Sequence, residues 1–370
     1  MRPIGTLMLA VISAPLIAVP AVAADCPMPP DLGDGWTVAA PEQEGLDSTL
    51  ICGIGPRLEA LKEAQAHGVV ILRHGRLIYE HYFVSFDAGT KHDIRSISKS
   101  VTSLLVGIAL DRGLIADLDA PVFSFFPEYG ELRSPQKDRI TLRHLLTMSS
   151  GLAWDETSTY WQMSTARRSD QFVLAQPLAA HPGEVFNYNT GTANLLGVIL
   201  RKVSGKPLDA FAKETLFDPL GIEDWDWDYD GGFDAAAGSG LRLRPRDLAK
   251  IGQLVLARGN WHGRQIVSSS WIEESTTPHL LFDRSEGATA HGGATSYGYL
   301  WWLGRSPPEH PERDLIAGAG VGGQRVVILP RLEAVVVTTA GFPIVRSTCQ
   351  STWQARAPRP AHSPKRLPTA

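Results

Sequence analysis

The chain has 370 residues, which is enough for one large catalytic body with an insertion or for two or three domains. Hydrophobic residues make up 44% and charged residues 20%, so the composition argues against both global disorder and a membrane protein with several spans. The formal net charge is only -4, so we expect neither nucleic acid nor an anionic membrane surface as a partner.

The first residues have the pattern of an export signal. Arg2 precedes an apolar stretch over residues 7–17, and small residues follow at a typical cleavage position. A membrane anchor is the alternative, but Pro15 and Pro20 interrupt the apolar run. We therefore predict that residues 1–24 are a signal peptide that is removed, and that the mature protein is secreted or periplasmic.

Export also bears on the three cysteines. An oxidising compartment would allow Cys26 and Cys52 to form a disulfide across a short loop, which would leave Cys349 unpaired. The alternative is that the cysteines are free thiols.

The next part of the chain predicts a hairpin followed by a buried helix. Residues 69–83 contain two β-branched and aromatic runs around Arg73-His74-Gly75, which is typical of a β-hairpin. Apolar residues then recur at helical spacing over 101–109, and Gly113 suits a C-cap position. Ser96 should therefore lie at the start of a buried helix.

The pattern changes in the middle of the chain. Residues 120–235 read as helical segments and long loops, which predicts a mostly helical insertion between two parts of an α/β sheet domain, 25–119 and 236–341. Residues 342–370 are rich in proline and basic residues and contain no acid, so we predict a disordered tail. Other predicted elements are helices over 142–148, 193–203 and 248–257, and a second hairpin over 325–329 and 334–339.

The string Arg95-Ser96-Ile97-Ser98-Lys99 has the spacing of a nucleophile and its base. Ser96 and Lys99 are three residues apart, so on a helix both side chains lie on the same face. A serine hydroxyl becomes a good nucleophile only when a neighbour takes its proton, and a lysine in a dry pocket has a pKa low enough to help. Alone this S-x-x-K spacing is weak evidence, because it occurs by chance on many surface helices.

Two further motifs follow in order. Tyr188-Asn189-Thr190 lies 92 residues after Ser96, and the glycine-rich run 318–323 leads into the strand predicted at 325–329. This order resembles the serine β-lactamase and penicillin-binding superfamily, with its S-x-x-K, Y-x-N and K-T-G motifs. The resemblance covers about residues 30–341 and is closest to the class C-like branch, which includes carboxylesterases and 6-aminohexanoate-dimer hydrolases. Further segments that resemble this branch are 144–152, 240–242, 246–249, 261–263 and 297–302.

The resemblance implies a role for each matched residue. Ser96 would be the nucleophile, Lys99 its proton-handling partner, and Tyr188 the phenol that exchanges a proton with the leaving group. Lys99 would also supply a cation that lowers the pKa of Tyr188. The backbone N–H groups of Ser96 and Val321 would form the oxyanion hole.

Two positions depart from the family pattern in the part that would bind substrate. We assign Gly318, Gly320 and Thr190 to substrate binding by their place in the motifs, but Gly318 carries no charge and Thr190 lacks the amide of Y-x-N. In β-lactamases these groups bind the substrate's carboxylate and amide. Their absence favours neutral esters over β-lactams, unless Arg325 or Arg346 reaches the cleft.

Other patterns carry less weight. Gly318, Gly320 and Gly323 match a dinucleotide fingerprint formally, but a β-rich run follows them instead of a helix, so we reject a nicotinamide site. The ten tryptophans are more often core residues than ligand platforms.

The resemblance therefore implies an α/β (α+β) fold, with an antiparallel sheet flanked by helices, and we expect the active site in the cleft between the sheet and the helical insertion. The predicted function is that of a serine hydrolase which cleaves an ester or amide through an acyl-enzyme, with no metal or organic cofactor. The alternatives are a β-lactamase or D-amino-acid peptidase, and a non-catalytic protein that binds peptidoglycan peptides.

Overall fold

A computed structural model describes residues 26–61, 65–83, 85–230, 234–281 and 294–341. The predicted signal peptide, the predicted tail and Cys349 lie outside these residues.

The described residues form one large sheet and three small ones. The large sheet has eight strands in the order β10-β11-β12-β13-β14-β15-β1-β2, and every neighbouring pair is antiparallel. The small sheets are β3-β7-β4, β5-β6 and β8-β9. The bounds of the strands are β1 Ala66–Arg73, β2 Arg76–Tyr82, β3 His92–Asp93, β4 Trp225–Trp227, β5 Tyr229–Asp230, β6 Asp234–Ala235, β7 Leu241–Leu243, β8 Asn260–Trp261, β9 Arg264–Gln265, β10 Leu280–Leu281, β11 Ser296–Tyr297, β12 Trp302–Gly304, β13 Leu315–Gly320, β14 Gln324–Leu329 and β15 Ala334–Ala340.

The helices cover both faces of the large sheet. Their bounds are α1 Ser48–Cys52, α2 Ile54–Ala60, α3 Ile97–Asp111, α4 Leu142–Leu146, α5 Ser158–Thr165, α6 Ser169–Ala175, α7 Thr190–Ser204, α8 Leu208–Ala212, α9 Asp218–Leu220, α10 Pro245–Leu256 and α11 Ser269–Ser275. Both predicted hairpins and the four predicted helices are present, and the predicted fold class is confirmed.

Strand β1 shows how the sequence separates the two faces of the sheet. Val70 and Leu72 point into the main core, whereas Val69 and Ile71 pack on the other face together with Cys52. Cys26 and Cys52 form a disulfide with their Cα atoms 5.5 Å apart. The disulfide thus joins the start of the described chain to the outer layer that contains α1.

Helix α3 lies in the centre of the molecule. It packs against β13 of the sheet and against α7 of the helical segment, and residues from Ile97 to Ala109 are buried throughout. A helix buried on all sides has little amphipathic character, which agrees with its near-continuous run of apolar and small residues. The first turn of α3 therefore lies between the sheet and the helical part of the chain.

Among the described residues, no helix is both long and apolar enough to span a membrane.

Candidate active site

Ser96 is the N-cap of α3 and stands at the edge of the buried region. The residue before it, Arg95, has φ +53°, a left-handed conformation that is costly for a residue with a side chain. The Arg95 N–H donates to Asp93 Oδ1 at 2.8 Å, which helps to hold this turn. The hydroxyl of Ser96 is consequently fixed at the positive end of a 15-residue helix.

Lys99 is one turn into the helix and is almost fully buried. Its Nζ lies 3.0 Å from Ser96 Oγ and 2.7 Å from the carbonyl oxygen of Gly238. Burial lowers the pKa of Lys99 to about 8, while the carboxylate of Glu156 acts in the opposite direction. A useful fraction of Lys99 is therefore neutral near pH 8 and able to accept the proton of Ser96.

Tyr188 completes this arrangement. The Nζ of Lys99 lies 4.8 Å from the centre of the Tyr188 ring, and the ring stacks on Trp302 at a centroid distance of 5.7 Å. Burial and the charge of Glu156 raise the pKa of Tyr188, and a hydrogen bond with Ser96 only partly opposes them. The structure thus brings together Ser96, Lys99 and Tyr188.

The expectation that a cation would lower the pKa of Tyr188 is wrong in its net direction. The dominant cause is burial, because a phenolate loses the hydration that stabilises its charge when the ring is packed among other side chains. Tyr188 is accordingly a protonated phenol, suited to give a proton to a leaving group.

The acceptor for Lys99 was not predicted from the sequence. Gly238 receives the Lys99 ammonium at its carbonyl, while its own N–H donates to Asn194 Oδ1 at 2.8 Å. A Cβ at Gly238 would come within 2.8 Å of the Thr190 methyl group, so only glycine fits at this position. The sequence feature that marks this position is the pair of glycines Gly238 and Gly240, of which Gly240 begins the segment 240–242 that resembles the family.

The predicted glycine strand packs directly on the start of α3. A Cβ at Gly318 would lie 3.0 Å from Ile97 Cγ2 and 3.2 Å from Ser100 Oγ, and one at Gly320 would lie 2.4 Å from the Ile94 carbonyl oxygen. Both glycines therefore allow β13 to approach the helix. Val321 follows the strand at once, at the start of the turn into β14.

Thr190 lies in the first turn of α7 and is bonded to a carboxylate that sequence reasoning missed. The hydroxyl of Thr190 donates to Glu156 Oε1, and its N–H donates to Glu156 Oε2 at 3.1 Å. Trp154 Nε1 donates to the same Oε2 at 2.7 Å. Glu156 lies just beyond the segment 144–152 that resembles the family, and this proximity was the only signal for it.

Arg325 provides a cation near the site although Gly318 does not. It extends from β14, and its Nη1 donates to the carbonyl oxygens of Gly320 at 3.0 Å and Gln324 at 2.9 Å. Its charge acts to lower the pKa of Tyr188, so the two side chains are close enough to interact. Within the described ranges, Arg325 forms no ion pair with an acidic side chain. Arg346 lies outside those ranges.

Aromatic side chains line one side of the site. Trp302 contacts Tyr188, and it packs edge-on against Tyr297 at 4.8 Å and Phe186 at 6.1 Å between ring centres. Trp154, Trp301 and Trp302 are buried as expected, but Trp161 on α5 is 70% exposed and does not belong to the core.

The part of the chain that the structure describes holds no group of three or more His, Cys, Asp or Glu side chains arranged to bind a metal ion.

Comparison with known proteins decides the family. The β-lactamase family profile matches residues 57–343, more than half of the chain. The protein belongs to the β-lactamase family. One relative, the 6-aminohexanoate-dimer hydrolase of Paenarthrobacter ureafaciens, is 27% identical over 78% of this chain and 76% of its own length. Esterase EstB of Burkholderia gladioli is 28% identical over 45% of this chain, and the match spans about half, 48%, of that protein.

Solved structures show the same fold. The octameric penicillin-binding protein homologue from Pyrococcus abyssi superimposes with a TM-score of 0.63 at 21% identity, over 80% of this chain and 74% of that one. A D-stereospecific amidohydrolase from Streptomyces gives a TM-score of 0.62 at 17% identity, over 79% and 94%. The family match and the hydrolase and esterase relatives confirm the recognition of the superfamily, and the chain is a serine hydrolase.

Proposed function

We propose that this hydrolase cleaves an ester or amide bond through an acyl-enzyme on Ser96. The observation that carries the proposal is the 3.0 Å contact between Ser96 Oγ and the buried Lys99 Nζ at the start of α3. A nucleophile and a base within hydrogen-bond reach, with the base held by a third group, form the general pattern of nucleophilic catalysis. Here the third group is the carbonyl of Gly238.

In the first half-reaction Lys99 and Tyr188 relay one proton from Ser96 to the leaving group. Neutral Lys99 takes the proton of Ser96 as Oγ bonds to the substrate carbonyl carbon, and the resulting oxyanion accepts hydrogen bonds from the N–H groups of Ser96 and Val321. When the bond to the leaving group breaks, Tyr188 gives its proton to the departing oxygen or nitrogen. Tyr188 then recovers a proton from the Lys99 ammonium, which leaves Lys99 neutral and the acyl group on Ser96.

Water reverses these proton transfers in the second half-reaction. Tyr188 and Lys99 take one proton from a water molecule as its oxygen adds to the acyl carbon. The same proton then returns to Ser96 Oγ as the bond between Oγ and the acyl carbon breaks, so the products are a free acid and the original enzyme.

The substrate we favour is an ester whose leaving group carries no charge. Arg325 supports the alternative, a substrate with a carboxylate on its leaving group. The motif strand has no cation at Gly318, but Arg325 has no acidic partner among the described residues and acts on Tyr188. A substrate with a carboxylate on the leaving-group side, including a β-lactam, would find a partner there. The relatives' names, a 6-aminohexanoate-dimer hydrolase and an esterase, agree with an ester or amide class.

Export is part of the proposal. Residues 1–24 have the pattern of a signal peptide, and disulfides persist in oxidising compartments, so the Cys26–Cys52 disulfide supports a secreted or periplasmic location.

Intact-mass analysis after incubation with an activated ester tests the acyl-enzyme. We expect the wild type to gain the mass of one acyl group and Ser96→Ala to gain none. Ser103→Ala is the matched control, because Ser103 lies on the same helix and its buried hydroxyl has no hydrogen-bond partner among the described residues. Adducts on Ser96→Ala would refute the nucleophile, and loss of acylation in Ser103→Ala would show that any change in α3 is enough.

A further inference from the structure

Glu156 is a charged group at this site that the motifs of the family resemblance do not include. It lies between α4 and α5, directly after Asp155, whose carboxylate accepts hydrogen bonds from the N–H groups of Thr157 and Ser158. Asp155 thus holds the turn that leads into α5, whereas Glu156 faces the turn that carries Tyr188.

The carboxylate of Glu156 is fixed by three donors. Trp154 Nε1 and the Thr190 N–H share Oε2, and the Thr190 hydroxyl donates to Oε1. Thr190 is two residues after Tyr188, so these bonds tie the position of the phenol to Trp154. A carboxylate that accepts several hydrogen bonds in a half-buried place is a fixed negative charge.

Among the described residues, Glu156 has no cationic partner in contact with it and forms no ion pair. The ionisable groups it acts on come from three other elements. Lys99 lies on α3, Tyr188 lies just before α7 and Tyr297 lies on β11, and the charge of Glu156 raises the pKa of all three. Arg325 on β14 acts on Tyr188 with the opposite sign.

We propose that Glu156 is a positioning residue of the acyl-transfer site, which holds the Tyr188 turn by hydrogen bonds and stabilises the ammonium that Lys99 forms when it takes the Ser96 proton. The inference rests on the proposed function, because it assumes that Lys99 is the base. A fixed anion near a buried amine favours the charged form, and this charge develops in the transition state. The same anion disfavours a phenolate, which keeps a proton on Tyr188 for the leaving group.

The hydrogen bonds allow the charge to be removed alone. In Glu156→Gln the amide oxygen can take the place of Oε2 and keep both N–H donors. The amide nitrogen then replaces Oε1 and donates to the Thr190 hydroxyl, which can turn to accept. Thr190→Val is the matched control, since it deletes the hydroxyl bond to Glu156 and leaves the charge in place.

The test is the pH dependence of kcat/KM for a neutral p-nitrophenyl ester, whose ascending limb reports the base in the free enzyme. Glu156→Gln should move this limb toward acid by roughly half a pH unit or more and lower the plateau about tenfold. Thr190→Val should lower the plateau with the limb unmoved. An unmoved limb in Glu156→Gln, or an equal shift in Thr190→Val, would overturn the inference.

Two further variants remove ambiguity. If Glu156→Gln does not fold, Glu156→Asp replaces it, because retracting the charge by one methylene should still move the limb slightly toward acid; a limb at the wild-type pH would count against the inference. Ser96→Ala separates the two proposals. Turnover by Ser96→Ala refutes the proposed function itself, whereas an inactive Ser96→Ala with an unmoved Glu156→Gln limb refutes only the role of Glu156.

Discussion

Two lysines are buried to the same degree in this protein, and their surroundings differ in one respect. Lys250 on α10 is fully buried and pairs with Asp247 at 3.1 Å, and its Nζ also donates to the Gly221 carbonyl at 2.7 Å. Lys99 is equally buried, but its hydrogen-bond partners among the described residues are a hydroxyl and a backbone carbonyl. A buried amine with a carboxylate is a structural ion pair, whereas a buried amine without one can lose its proton.

The strongest test of this comparison replaces each lysine with methionine. Lys99→Met should lower kcat/KM about 10³-fold or more, because the nucleophile and its base act as one unit, and it should not reduce the melting temperature. Lys250→Met leaves Asp247 buried with Arg244 as its one cationic partner among the described residues, which should cost about 3 kcal/mol of folding free energy and leave kcat per folded molecule unchanged. Thermal unfolding and active-site titration on both variants provide the data. The opposite pattern, with Lys250→Met folded but inactive, would contradict the assignment of Lys99 as the base and of Lys250 to a structural ion pair.

A second prediction concerns the phenol that lies against Lys99. Tyr188→Phe should slow turnover by about 10²–10⁴-fold, since it removes the proton donor for the leaving group and keeps the stacking on Trp302. Because the loss falls on proton transfer, esters with poor leaving groups should suffer more than activated p-nitrophenyl esters. Steady-state kinetics with a series of leaving groups would show this dependence. Equal losses across the series would mean that Tyr188 only shapes the site.

Periodicity in the sequence predicted contacts between residues that are close in the chain, and it did not predict contacts between residues that are far apart in the chain. Ser96 and Lys99 are three residues apart on one helix, so periodicity alone places them together. The hydrogen-bond partner of Lys99 is the backbone carbonyl of Gly238, 139 residues away. Because every residue has a backbone carbonyl, the residue type at a position does not predict this contact. Glu156 was missed for a similar reason, because an acidic residue in a loop has the same appearance in sequence as a solvated one.

The fold shows the same division. The hairpin β1–β2 and helix α3 are long enough for their periodicity to be read, and both were predicted. Strands β10 and β11 have only two residues each and β12 has three, so they carry no alternation and were not predicted. They are held in the sheet by pairing with neighbours, and that information lies outside their own sequence.

A buried histidine is a second base whose pKa is lowered by burial. His92, four residues before Ser96, is buried beside His67 and Phe86, and its Nε2 has no hydrogen-bond partner among the described residues. Burial, with a contribution from His67, lowers the pKa of His92 to about 4. The unfolded chain then binds more protons between about pH 6.5 and 4, so stability should be complete above pH 6.5 and fall as the pH drops through this window.

The expected loss from His92 is on the order of 2 kcal/mol between pH 6.5 and 4. His92→Leu should flatten this part of the stability curve, measured by urea unfolding at several pH values. A variant with the same acid dependence as the wild type would assign the loss to other groups, His67 first among them, since burial also lowers its pKa.

The smallest expected effect distinguishes the two substrate classes. Arg325 is a cation near Tyr188 and, like Lys99, has no carboxylate in contact with it among the described residues. If Arg325 binds a carboxylate, Arg325→Gln should lower kcat/KM for a chromogenic cephalosporin about tenfold, about 1.4 kcal/mol, and change that for a neutral p-nitrophenyl ester less than about threefold. Arg325 Nη1 also donates to the carbonyls of Gly320 and Gln324 beside the turn at Val321, and a glutamine is too short to place a donor at the position of Nη1. Equal losses on both substrates would assign Arg325 to the support of that turn, and the ester preference would then rest on the uncharged Gly318 alone.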